Sequence, residues 1–441
     1  MTDDTKQFTT CHPPIGGSPF SPADDDILGR LRGLREDAVL GIPAIAFVSG
    51  AAGMGKTFLL RAYEVHAATE GAAVLRAACT AAERHEPYST IRRIFSGIDS
   101  VRLPTQPFPM GTPESKRELH RTAQGLFQSI SRLAERNTLV VSIDDIQYAD
   151  IHSLHCLRYL VHRITQVPLA FIYTADWPCD RILPPIFAEL MHHLAMRRVH
   201  LEPLSRDAVV QLIRKRIGDA AAGRLADLHR AQTGGNPLLV EALLRGEFRH
   251  ALLDCVRRSG NLAVRVARSI AVLGEPADIS LLSRLSRLSS QTTTRVVERL
   301  TELGVLDDLR FRHSAAATAI LDDTPRWETV HLRHRAAFLL HQDGRPADAV
   351  AEQLLAAGPL CQDWVRAVLE DGATQALANN QVTRSMRYLQ LLSECCPDLA
   401  HDAGALMAVV GWLRAPAQST PRLRTLKQPV LQGKVKRGLS Q

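Results

Sequence analysis

The sequence predicts an α/β chain: a parallel sheet with helices on both faces, followed by an all-helical remainder. Three observations carry that expectation. From residue 44 to about 245, short apolar strand-like runs alternate with helix-like stretches, the pattern of a parallel sheet covered by helices. A glycine-rich loop, GAAGMGKT at 50–57, sits between the first apolar run and a helix. After residue 205 the strand-like runs stop and helical periodicity takes over.

The candidate strands are Ala44–Ser49, Ala73–Ala78, Thr138–Ile143, Leu169–Thr174 and Arg198–Leu201. The helical patterns between them include Thr57–Ala67, Glu114–Arg136 and Asp150–Thr165, and 103–112 reads as a Pro-rich loop. Leu204–Ile217, Ala220–Ala231 and Pro237–Arg245 read as a small helical lid. Helical runs at Asn261–Leu273, Ile279–Leu285 and Gln291–Leu303, then the extended stretch Val305–His313, suggest a winged-helix arrangement. Beyond 330 the chain reads as antiparallel helical pairs broken at Gly344, Gly358 and Asn379–Asn380. The expected division is a disordered N-terminus over 1–25, an α/β core with the glycine-rich loop over 26–203 and a helical lid over 204–249. A winged-helix-like unit over 250–325, helical repeats over 326–413 and a basic tail over 414–441 complete it.

Composition narrows the class. The chain has 441 residues, of which 45% are hydrophobic, as in a globular protein of two or three domains. No apolar run approaches the ~18 residues of a membrane span, and the polar start MTDDTKQFTT is unlike a signal peptide. A cytoplasmic protein is expected. The eight cysteines include no CxxC pair and no zinc-ligand spacing, so they read as reduced thiols. The formal net charge is +7, and the seven basic residues of 414–441, with no acid among them, account for all of it. The body of the chain is therefore not a basic nucleic-acid surface, and the tail reads as a solvated end that touches phosphate backbones at most.

The chemistry is concentrated at two places. In GAAGMGKT, Gly50, Gly53 and Gly55 let consecutive backbone N–H groups turn towards phosphate oxygens. Lys56 reaches the outer phosphates of a nucleoside triphosphate, and the Thr57 hydroxyl holds Mg²⁺. The following helix turns its positive end to the same phosphates. The second place is LVVSIDDIQYAD at 139–150. Its apolar strand delivers Asp144 and Asp145 to the carboxyl edge of the sheet, where ligands bind in open parallel sheets. Asp144 is assigned to Mg²⁺ beside Thr57, and Asp145 to the polarisation of an attacking water. The strand Leu169–Asp176 should lie between the first strand and the Asp144 strand, placing Thr174 either to sense the outer phosphate or merely to end a strand. In Thr233–Pro237 (TGGNP), Asn236 caps the next helix and Pro237 suits its first position.

These residues together resemble the ATPase part of the large ATP-binding LuxR-family transcriptional regulators, signal-transducing ATPases with numerous domains within the wider AAA+ group. The resemblance runs through ILGR at 27–30, GAAGMGKT, IDDIQYAD, LEPLS at 201–205, TGGNP and RFRHSAAATAIL at 310–321. It implies an ATP/ADP-controlled regulatory switch with Mg²⁺, a winged-helix domain, and repeats that bind a partner or promote self-association. It also implies that Gly29 and Arg30 lie near the adenine and that Asn236 and Pro237 contact the nucleotide from the lid. Three features depart from the pattern. Gln147–Tyr148 replaces the usual His–Trp, Ala175 stands where many relatives carry a phosphate-sensing arginine, and no helix-turn-helix pattern follows. Slow ATP hydrolysis and, at most, weak or indirect DNA binding are expected. The alternatives are a replication-initiator or remodelling AAA+ ATPase that binds DNA directly, and a truncated remnant of a larger regulator.

Overall fold

The computed structural model describes residues 22–96, 112–113, 115–176, 184–274 and 278–395. The N-terminal stretch to residue 21, the Pro-rich segment over 103–111 and the basic tail lie outside the described residues. The chain divides into two compact units, Met1–Asn261 with Arg299–Leu306, and Leu262–Glu298 with Asp307–Gln441. Among the described residues, no helix is long and apolar enough to cross a membrane.

The first unit runs α1 (Pro22–Val39), β1 (Ala44–Gly50), α2 (Lys56–Thr69), β2 (Ala73–Ala78), α3 (Ser89–Phe95), α4 (Lys116–Ala134), β3 (Leu139–Asp144), α5 (Ile151–Val161), β4 (Leu169–Asp176), α6 (Pro185–Met191) and β5 (Met196–His200). Helices α7 (Arg206–Ile217), α8 (Asp219–Thr233), α9 (Pro237–Arg245) and α10 (Phe248–Arg258) follow. All five strands are parallel in the order β2-β3-β4-β1-β5. The order follows from what each strand can bury. The three inner strands β3, β4 and β1 are apolar almost throughout and buried along nearly their whole length. The edge strands carry Arg76, Arg197 and Arg198 at half-buried or exposed positions, which a central strand covered on both faces would not tolerate.

Side-chain alternation splits the apolar residues between two cores. Ile45 and Phe47 of β1, Val141 of β3 and Phe171 and Tyr173 of β4 join one core with residues of α3, α4, α5 and α6. Ala44, Ala46, Val140, Ala170 and Ile172 face the other, with Leu31 and Leu34 of α1 and Leu59, Leu60 and Tyr63 of α2. The small residues fall on the α1–α2 side, which lets those helices lie close to the sheet. Glu64 of α2 is also buried, accepting from the Ser142 hydroxyl at 2.5 Å and pairing with Arg76 Nε at 2.8 Å.

Asp150 ties two helices together. Its carboxylate caps α5 through Ser153 N–H at 2.9 Å. It also accepts from Tyr88 N–H at 2.9 Å, Thr90 N–H at 3.2 Å and the Ser89 hydroxyl at 3.1 Å, all at the start of α3. Tyr88 adopts a positive φ of 59° at this junction. The last acid of IDDIQYAD therefore serves the scaffold.

In the remainder of the chain, α11 (Asn261–Leu273), α12 (Ile279–Ser286) and α13 (Ser290–Glu302) precede a two-stranded sheet, β6 (Leu306–Asp307) and β7 (Arg310–Phe311). Then come α14 (Ala315–Asp323), α15 (Arg326–Gln342), α16 (Ala347–Ala357), α17 (Asp363–Ala378) and α18 (Val382–Cys395). Gly344, Gly358 and Asn380 have positive φ values of 64°, 98° and 58°, at the breaks read from the sequence. Gly372 lets α17 approach α16, since a Cβ there would stand 3.3 Å from Ala351 Cβ. The buried Tyr388 on α18 donates its hydroxyl to Glu352 on α16 at 2.7 Å.

Replacing Asp150 with Ala leaves three buried N–H groups without an acceptor, each worth about 1–3 kcal/mol. Asp150→Ala should therefore destabilise the first unit by about 3 kcal/mol or more, and Asp150→Asn by less. Urea unfolding followed by circular dichroism measures both, and an unchanged midpoint for Asp150→Ala would remove its structural role.

Candidate functional site

The loop after β1 is shaped by its glycines. Gly53 and Gly55 take φ values of 83° and 90°, a region that side-chain-bearing residues avoid. At Gly53 the constraint is also spatial, because a Cβ would stand 2.7 Å from Asn236 Oδ1. Gly55 forms the N-cap of α2 and supplies no side-chain acceptor, so no side chain caps the first turn. That leaves the helix start as a donor site for an anion. Thr57 is exposed at the second residue of α2.

Lys56 is buried at 6% exposure, yet its ammonium is fully engaged. It donates to Gly50 O at 2.9 Å and Ala51 O at 2.8 Å, and pairs with Asp176 Oδ1 at 2.5 Å. Three acceptors match the three hydrogens of the group. Asp176 is placed by register, since it lies opposite Gly50 in the β1–β4 ladder.

The paired acids stand at the carboxyl end of β3, next to β4. Thr174 of β4 locks them. Its hydroxyl donates to Asp144 Oδ1 and accepts from Asp145 N–H at 2.9 Å. Asp145 sits at a positive φ of 56°, and its Oδ1 accepts from Gln147 Nε2 at 3.0 Å. Burial pushes the Asp145 carboxyl up to about 6; the neighbouring charges of Asp144 and Asp176 act in the same direction, while Gln147 and Lys56 oppose it.

TGGNP is the third part. Asn236 is wholly buried. Its Oδ1 caps α9 through Leu238 N–H at 3.0 Å and Leu239 N–H at 3.4 Å. Its Nδ2 donates to Ala52 O of the loop and to Leu303 O, each at 3.0 Å. Pro237 occupies the start of α9, and Leu238 N–H donates to Gly53 O at 3.3 Å. The turn has no room to change: a Cβ at Gly235 would stand 2.7 Å from Leu204 O, and one at Gly304 1.9 Å from Thr233 O.

The structure thus brings Gly50, Gly53, Lys56 and Asn236 together at the loop, and Asp144, Asp145 and Thr174 together at the sheet edge, where the charges of Lys56 and Asp176 act on Asp145; Gly55, Thr57 and Pro237 stand at the helix starts. Gly29 and Arg30 are exposed on α1, and a Cβ at Gly29 would meet nothing within 4 Å. Sequence reasoning assigned no role to Asp176, although LAFIYTAD already ended on it, and no signal pointed to the Leu303 carbonyl.

The residues fit a nucleotide: a glycine cradle, an uncapped helix start, a buried ammonium and acids at the sheet edge. Among the described residues, no group of three or more His, Cys, Asp or Glu would hold a metal by itself, so a Mg²⁺ here would depend on phosphate oxygens as well.

Residues 25–172 match the family model of the AAA ATPase domain. Nucleotide binding is the property that this match implies for the loop. No curated protein matches the chain. Among solved structures, it is similar to a signal transduction ATPase with numerous domains carrying a tetratricopeptide repeat sensor, from Pyrococcus horikoshii, at 15% identity and a TM-score of 0.35. That alignment covers 91% of this chain and 58% of the other, so this chain spans little more than half of that protein's length. It is also similar to Cdc6p from Pyrobaculum aerophilum, at 14% identity and a TM-score of 0.37, covering 76% of this chain and 98% of that one. A third likeness is to AMPPCP-bound DnaA from Aquifex aeolicus, at 14% identity and a TM-score of 0.33, covering 73% and 94%.

Two outcomes follow from this geometry. A carboxyl that keeps its proton to about pH 6, against an ordinary value of 3.8, makes the folded chain bind more protons than the unfolded one in that window. Asp145 should therefore subtract stability as pH rises from roughly 4 to 6. Carboxyl ¹³C NMR of the nucleotide-free protein should give its midpoint near 6, raised further by Gln147→Met; a midpoint near that of a free aspartate would contradict the burial argument. Separately, Asp176→Asn should lower the unfolding midpoint, because Lys56 loses its counter-charge. It should also tighten ADP and ATP binding by about tenfold, ~1.4 kcal/mol, because the phosphates no longer displace a carboxylate. Weakened nucleotide binding in a calorimetric titration would mean that Asp176 assists the ligand instead.

Proposed function

We propose that the protein is an ATP-binding regulatory switch in which ATP or ADP occupancy of the phosphate loop sets the arrangement of the helices that follow. The observation that carries this reading is the side chain of Asn236. One amide holds the loop carbonyl of Ala52, the start of α9 and the Leu303 carbonyl at the end of α13. A change in the loop's shape on nucleotide binding would be transmitted directly to both helices.

In this reading Gly50, Gly53 and Gly55 turn backbone donors to the phosphates, and Lys56 leaves Asp176 for the outer phosphate oxygens. Thr57 and Asp144 would hold Mg²⁺, and Asp145 would orient the water. When bound, Mg²⁺–ATP supplies a phosphoryl group activated for transfer to water. Asp145 accepts a proton readily only above about pH 6, given its raised pKa. With Ala175 where relatives carry an arginine, turnover is slow, which suits a switch better than an engine. The resemblance to ATP-binding transcriptional regulators supports a transcriptional output, with 204–249 as lid, 250–325 as winged-helix-like element and 326–413 as the surface for a protein partner or a second copy.

The test is to purify the protein, denature it and identify any released nucleotide, with Lys56→Ala beside it. Bound ADP or ATP is expected in the parent protein. Affinity should fall at least ~100-fold in the variant, about 2.7 kcal/mol, with turnover well below roughly one per second. A Lys56→Ala/Asp176→Ala double variant removes both charges and controls for an unpaired carboxylate. Retained nucleotide in both variants, or rapid turnover, would overturn the reading.

A further inference from the structure

A second cleft in the first unit lies between α4 and α5, built from residues that the phosphate loop does not use. Its volume is about 550 Å³, within the roughly 300–1,000 Å³ of small-molecule sites. Six of its lining side chains are basic or imidazole: Lys116, His120, His155, Arg158, His162 and Arg163. No acidic side chain lines it. The floor is apolar, formed by Leu119, Ala123 and Tyr159.

Among the described residues, the cationic groups are only partly compensated. Arg158 pairs with Glu189 at 2.7 Å. The Arg163 guanidinium lies 3.7 Å from the centre of the Tyr159 ring, and the His120 ring meets that ring edge-on at 5.3 Å. Burial holds His155 below the ordinary imidazole range, and Arg158 and His152 push it further down. The permanent positive charges of the lining are thus Lys116, Arg158 and Arg163, and an entering anion would be attracted to them.

We propose that this cleft binds a small organic phosphate: an apolar or aromatic body on the α4–α5 floor, with its phosphate held by Arg158, Arg163 and Lys116. Arginine presents paired N–H donors that match phosphate oxygens, which favours phosphate over a lone halide-like charge. The confined volume and the apolar residues beneath the cationic groups favour a small molecule over a nucleic-acid backbone, which is met by extended basic stripes. The three histidines do not make a metal site, since no metal-holding group exists among the described residues. Because α5 (capped by Asp150) begins six residues after Asp145 in the same segment, a ligand here would bear on the stretch that carries the paired acids.

The experiment titrates 1-naphthyl phosphate into the full chain and follows its fluorescence, with 2-naphthol and 1-naphthoate as controls. The expected result is single-site binding that Arg163→Gln and Lys116→Gln each weaken at least tenfold. Lys116 is exposed, so Lys116→Gln should leave the unfolding midpoint unchanged. Equal binding of 2-naphthol would reduce the cleft to an apolar patch, and equal binding of 1-naphthoate would overturn the phosphate class. A short DNA duplex that binds where naphthyl phosphate does not would make the face a polynucleotide surface and overturn the proposal. Binding insensitive to both substitutions would overturn it too, whichever other site the probe had found. Lys116 and Arg163 lie outside the phosphate loop, so the loss of binding in their variants stands or falls apart from the switch reading.

Discussion

Burying a lysine ammonium governs how the nucleotide-binding end of this chain is built. A charged group taken from water must find partners for every hydrogen or it destabilises the fold. Lys56 finds three: two carbonyls of the glycine-rich loop and the Asp176 carboxylate. The first two require the loop to curl back over its own lysine, which Gly53 and Gly55 permit. The third requires β4 to lie beside β1 in the register that sets Asp176 opposite Gly50. Loop conformation, strand order and the charge at the end of β4 are thus facets of one requirement, and an entering phosphate would compete for the same cation.

Much of this was legible in the sequence because its signals are local and dense. The five strands fall within a few residues of their apolar runs, and α9 and α11 match their expected bounds. The placement of the Leu169 strand between the first strand and the Asp144 strand also holds. What escaped has partners far away in sequence. Helix α3 is short, and its start is held by an aspartate about 60 residues later, so periodicity gave no warning of it. The turn at Thr233–Pro237 reads as a helix cap, which it is, but the bond to Leu303 spans 67 positions. The cationic cleft is dispersed between Lys116 and Arg163, too sparsely to stand out as a charge run. Thr174 shows a different limit. The sequence reads it as a phosphate sensor or a strand-ending hydroxyl, and gives no sign of the two hydrogen bonds by which it fixes the Asp145 backbone and the Asp144 side chain.

The acids that look equivalent in sequence are separated by their surroundings. Asp144 takes a hydroxyl donor, Asp145 is crowded by two carboxylates and burial, and Asp150 is saturated by four donors within the scaffold. Only the first two face the loop's chemistry. The same separation marks the two glycine turns around Asn236: Gly53 yields space to a side chain, whereas Gly235 and Gly304 yield it to backbone carbonyls. Backbone neighbours give way less easily, so a side chain would be tolerated worse at Gly235 and Gly304 than at Gly53.

The bond from Asn236 to Leu303 also sets an order in time. A ribosome adds roughly 5–20 residues per second, and the 67 positions between the two partners take about 3–13 seconds to synthesise at that rate. During that interval the sheet is complete but the amide of Asn236 lacks one acceptor. The nascent nucleotide module therefore waits on a piece of chain, Arg299–Leu306, that arrives only after α11, α12 and most of α13 have been made.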